Sequence, residues 1–171
     1  IIDNVETDGY DVVYSDTDSI FVKAPVESDS PINRPPEDSL VFEDWKNARK
    51  DTLDFGNSLA DRFTKEGAEL EFETALSAFF SHGAKKRYVG RVVWPREEML
   101  IRGYEVRRTD SFRLLTSTMT EMFELILSNE EWSAVEMSKS VIDDIRAKNV
   151  EAADLVISRS CKGSLRKDGT V

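Results

Sequence analysis

The chain has 171 residues, 40% hydrophobic and 33% charged, which is ordinary for a globular protein with a real core. No apolar run approaches the roughly 20 residues that span a bilayer, and the acidic start (Asp3, Glu6, Asp8) does not read as a signal peptide. The net charge of −10 argues against nucleic acid for the surface as a whole. However, nine basic against four acidic residues between Gly83 and Arg113 leave a local +5 in a remainder of −15.

That basic stripe is either a phosphate-contacting surface or a solvated charged face. One His82 and one Cys161 nearly exclude a conventional zinc site, so any metal is expected to be a hard cation held by carboxylates. The lone Cys161 forms no internal disulfide and fits a reducing, cytoplasmic setting. A chain that opens on Ile1 rather than Met is expected to lack its natural start.

Two β-branched and aromatic runs, Tyr10 to Tyr14 and Ser19 to Lys23, flank the polar segment Ser15-Asp16-Thr17-Asp18. This pattern predicts a β-hairpin with a tight acidic turn. Residues 25 to 38 hold four of the five prolines and are expected to form an exposed loop. From Phe42 to Phe63 the apolar residues fall at helical spacing, and Gly67 is a natural stop. Alternation in Glu69 to Glu73 predicts a strand with Leu70 and Phe72 on one face, and Ala78 to Phe80 reads as another piece. Lys86 to Trp94 and Met99 to Val106, separated by Pro95 to Glu98, predict a second hairpin. After Asp110 the period becomes helical over residues 111–128 and 130–147, with a break at Ser128-Asn129.

Asp16 and Asp18 stand two apart, which strand periodicity places on one face. Two such carboxylates repel each other unless a cation or protons intervene. Mg²⁺ takes one or two carboxylates together with substrate phosphates. A D-x-D turn is thus a platform for Mg²⁺ and phosphate, although a plain surface turn has the same look because Asp and Ser favour turns.

The longer string Tyr14-Ser15-Asp16-Thr17-Asp18-Ser19 resembles the Y-G-D-T-D-S hairpin of family B DNA polymerases, with Ser15 where Gly is commonest. The resemblance implies that Asp18 is a principal ligand of the catalytic metals. Asp16 would be the second catalytic acid, tuning the site and touching metal indirectly, and Tyr14, Thr17 and Ser19 would be structural. Further segments follow in the family's order. Glu69 to Glu73 resembles an E-L-E-[FY]-E strand, which makes Glu71 or Glu73 a candidate accessory metal ligand; an exposed acidic edge strand is the alternative. Lys85-Lys86-Arg87-Tyr88 resembles K-K-[RK]-Y, implying backbone and minor-groove contacts to the primer end that are independent of base sequence. Arg102-Gly103-Tyr104-Glu105 with Arg108-Thr109-Asp110 resembles the segment where palm passes into thumb. There Arg102, Arg108 and Thr109 would contact DNA, and Gly103, Glu105 and Asp110 would be structural. Leu155 to Ser158 resembles a strand-like thumb segment.

The resemblance therefore implies an α+β fold: an antiparallel palm sheet with an acidic hairpin and a packed helix over residues 1–108, then a mostly helical thumb portion over 109–171. Two Mg²⁺ ions, primer–template DNA and a deoxynucleoside triphosphate are implied as cofactors and partners, and no membrane. The family's D-x-x-S-L-Y-P and K-x-x-x-N-S-x-Y-G motifs do not occur in these residues, nor do its exonuclease acids. Two readings remain: a naturally split polymerase, whose expected partner is a larger polypeptide carrying the exonuclease and the remaining palm and fingers, or a fragment or truncated homologue of such an enzyme. The alternative is a DNA-binding or assembly module that kept the thumb and lost catalysis.

Overall fold

The structure is a computed structural model that describes residues 1–26, 31, 33–104, 106 and 111–157. The described residues form two compact units that divide between Leu100 and Ile101. The fold class is α+β: the described residues form antiparallel sheets and four α-helices, the last two of them a C-terminal pair.

The first unit opens with a short helix, α1 (Ile2–Thr7), that the sequence pattern did not single out. It is anchored by Val5, which is fully buried. The acidic hairpin follows as β1 (Val12–Ser15) and β2 (Ile20–Val22), a two-stranded antiparallel sheet with Ser15 opposite Ile20 and Tyr14 opposite Phe21. The described part of the proline-rich stretch contains no helix or strand. Arg34 lies over the Phe42 and Trp45 rings and pairs with Glu37.

Helix α2 (Phe42–Lys65) matches the predicted span and runs two residues longer. Its end shows why Gly67 stops it: the Ala68 N–H donates to the Phe63 carbonyl and the Gly67 N–H to that of Thr64. This double closure needs a left-handed residue, and Gly67 supplies φ 93°. The helix buries Trp45 and Phe63, and Arg62 pairs with Asp8 and Glu66. Donating hydrogen bonds to Asp8, then to Glu66, raises the Arg62 pKa above its ordinary value.

A three-stranded sheet follows in the order β3 (Ala75–Phe80), β4 (Tyr88–Trp94), β5 (Glu98–Arg102). β4 is central, and Val89, Gly90, Val92 and Val93 on it are all buried. The predicted strand at Glu69 to Glu73 is not formed. The alternation is real, since Leu70 and Phe72 are half-buried while Glu69, Glu71 and Glu73 are exposed, but the segment lies outside the ladder. The pairing stops at Ala75 opposite Trp94, after which Pro95 offers no N–H. Phe72 instead stacks on Trp94, with ring centroids 5.1 Å apart and planes 4° from parallel. The strand predicted to reach Val106 stops at Arg102, where Gly103 turns the chain with φ 73°.

In the second unit α3 (Arg113–Leu127) and α4 (Glu131–Ala147) pack together as the predicted helical pair. The turn between them repeats the double closure of α2: Glu130 N–H donates to Leu125 and Asn129 N–H to Ile126, with Asn129 left-handed at φ 61°. Phe123 and Leu127 are buried, and the Tyr104 ring lies 4.8 Å from that of Phe123. A 3₁₀ turn at Ala152–Leu155 is tied to the start of α3 by Arg113–Asp154 at 2.8 Å. Leu155 therefore ends a turn and does not begin the strand-like segment expected there, whose Ser158 lies outside the described residues.

Candidate active site

The acidic loop is Asp16-Thr17-Asp18-Ser19, closed by the Asp16 N–H donating to the Ser19 carbonyl at 2.9 Å. Both aspartates belong to the connecting loop, beyond the strands, so two-residue alternation does not set which way they face. They differ in environment. Asp16 is half-buried, and its Oδ1 accepts the Thr17 N–H at 2.8 Å and the Thr17 hydroxyl at 3.4 Å. Asp18 is exposed, and no hydrogen bond or ion pair among the described residues engages its carboxylate. Ser15 does not have a positive φ, so this hairpin has no backbone need for a glycine there.

Below the loop lies a cluster of four aromatic rings. Tyr14 on β1 is 5.5 Å from Phe21 on β2, 5.7 Å from Phe79 on β3 and 5.1 Å from Tyr88 on β4. Phe21 is 5.1 Å from Phe79 and 5.2 Å from Tyr88. These contacts seat the hairpin on the three-stranded sheet through aromatic burial and edge-to-face packing.

The same cluster brings in the basic turn. Lys85 and Lys86 occupy the corners of a turn closed by the Arg87 N–H on the Ala84 carbonyl, 3.2 Å. The Lys86 N–H donates to the Tyr14 hydroxyl at 2.9 Å. Lys85, Lys86 and Arg87 are exposed, whereas the Tyr88 ring is packed into the aromatic cluster. Sequence motifs far apart in the chain, the acidic hairpin and the basic turn, thus share one support.

Other candidates lie elsewhere. Glu71 and Glu73 are exposed on the segment before β3. Among the described residues no group of three or more His, Cys, Asp or Glu side chains is placed to hold a metal ion, so these glutamates are not gathered with Asp16 and Asp18 into one cluster. The donor chemistry still fits Mg²⁺ in its usual form, one or two carboxylates completed by water and phosphate oxygens. Arg102 is exposed at the end of β5, beside the left-handed Gly103. Glu105, Arg108, Thr109 and Asp110 lie outside the described residues. Sequence reading missed the tether between Tyr14 and Lys86; its one signal was a hydroxyl-bearing aromatic at the hairpin's base.

The acidic loop and the cationic turn are thus held by one aromatic cluster, in a chain whose relatives share a family. The chain is 28% identical to the DNA polymerase delta catalytic subunit of Candida albicans over 87% of its own length, and 29% identical to DNA polymerase II of Escherichia coli over 86%. It is 27% identical to DNA polymerase 2 of Aeropyrum pernix over 87%. These alignments take in more of the chain than residues 37–171 contain, so they extend upstream of residue 37. The DNA polymerase family B model matches residues 37–167, and the chain belongs to that family. It spans less than a fifth of the length of these relatives, 13% to 19%.

Proposed function

We propose that this chain supplies the metal-binding aspartate hairpin and the primer contacts of a DNA-directed DNA polymerase, in Mg²⁺-dependent nucleotidyl transfer. It does so together with a larger polypeptide that carries the other palm aspartate, the nucleotide-binding helix and the exonuclease. Residues 1–108 correspond to the end of the palm and 109–171 to the start of the thumb. The observation that carries the reading is the joint support of the acidic loop and the basic turn on the Tyr14, Phe21, Phe79 and Tyr88 rings.

Asp18 holds the metal and Asp16 shapes the loop around it, with its own oxygen already committed to Thr17. Mg²⁺ held by Asp18 would offset charge on the triphosphate and on the primer oxygen. Lys85, Lys86 and Arg87 neutralise primer phosphates without reading bases, as template copying requires. Arg102, Arg108 and Thr109 extend the DNA contacts toward the thumb, and Glu71 and Glu73 are accessory carboxylates. The exposed apolar side of α4, with Trp132, Val135, Ile142 and Ile145, supports a polypeptide partner.

The test is complementation. Primer–template, deoxynucleoside triphosphates and Mg²⁺ are mixed with the larger polypeptide, with and without this chain. Extension is expected only with both; full extension by the larger polypeptide alone would sink the proposal.

A further inference from the structure

The basic turn contains a backbone conformation that its residue type disfavours. Lys86 has φ 61°, a left-handed value that residues other than Gly, Asn and Asp rarely adopt. Its N–H does not close the turn, since that bond comes from Arg87. It donates instead to the Tyr14 hydroxyl, 72 residues earlier, at 2.9 Å. Tyr14 is itself held by rings on β2, β3 and β4, and it precedes Asp16 by two residues. An unfavourable turn and the base of the acidic loop are thus joined through one oxygen atom.

We infer that Tyr14 is a positioning residue whose hydroxyl locks the Lys85-Lys86-Arg87 turn in its left-handed form and fixes that turn relative to the acidic loop. The three cations are then presented to DNA in one arrangement set by the same ring that seats the aspartates. The DNA side of the inference rests on the proposed function; the lock itself does not.

Tyr14→Phe removes the oxygen and keeps the ring contacts. Two measurements on the full chain separate the parts of the inference. Amide hydrogen exchange should be about tenfold or more faster at Lys86 in Tyr14→Phe than in the wild type, with Val89 in β4 unchanged. Equal exchange at Lys86 in both proteins overturns the lock. Binding of a labelled primed duplex, followed by fluorescence anisotropy at low salt, should weaken roughly threefold to tenfold in Tyr14→Phe, the scale of one hydrogen bond. Asn tolerates the left-handed turn, so in a Lys86→Asn background the same Tyr14→Phe change should cost less than about twofold. An equal loss in both backgrounds means that the hydroxyl acts elsewhere, and overturns the positioning role. If the wild type binds no primed duplex, the proposed DNA role of the turn fails, and the exchange measurement still decides the lock.

Discussion

At the scale of single residues, Asp16 and Asp18 look equivalent in sequence and are not equivalent in the fold. The Asp16 carboxylate organises its own loop by accepting from Thr17, whereas Asp18 faces solvent. Asp16→Asn keeps the accepting oxygen, so it should leave the hairpin folded and reduce extension far less than Asp18→Asn; equal effects of the two changes would argue against this division of roles. Gly56 offers a test of packing. A Cβ there would clash with the Phe72 ring, which cannot easily yield because it is stacked on Trp94. Gly56→Ala should therefore cost about 1–3 kcal/mol in urea unfolding, even though Ala is intrinsically favoured over Gly in a helix by about 1 kcal/mol. A stabilised variant would show that the ring moves freely. The sequence made the acids legible by type and order, but not the aromatic cluster, because Phe79 and Tyr88 meet Tyr14 only through tertiary packing.

At the scale of elements, helices and their ends were the most legible features. Apolar spacing located α2, α3 and α4, and local chemistry set the stops of α2 and α3, since a left-handed Gly67 or Asn129 closes the last turn. Gly67→Ala should destabilise the first unit by roughly 1–2 kcal/mol, the penalty for placing a Cβ at a left-handed position. Thermal unfolding would check it, and an unchanged midpoint would contradict it. Strands were less legible. Alternation correctly gave the faces of residues 69–73 but could not say whether another backbone lay alongside, and among the described residues no strand pairs with them. The helix α1 escaped notice because six residues offer too little of a period, and its place depends on burial of Val5.

At the scale of the molecule, the sequence showed a strand-rich part and a helical part, and the described residues divide into two units. It could not show which side of α4 stays uncovered. Its spacing put Trp132, Val135 and Ile142 on an apolar stripe, yet Trp132 is 82% exposed and only Ala134 of that helix is buried. If this side meets the larger polypeptide, Trp132 fluorescence should shift to shorter wavelength on assembly; an unchanged spectrum in an active complex would place the contact elsewhere. Charge gives a second prediction at this scale. Each phosphate neutralised contributes about −0.9 to the slope of log binding constant against log salt. Replacing Lys85 with Ala should thus make that slope shallower by about 1 for primed duplex.

The most direct test of the central claim is the rate of single-nucleotide addition by the reconstituted assembly carrying Asp18→Ala, measured at saturating primer–template and nucleotide. The account predicts a loss of several orders of magnitude, because a metal ligand used in the transition state is gone, with primed-duplex binding held within about threefold since phosphate contacts lie elsewhere. A rate equal to that of the wild-type assembly would contradict it.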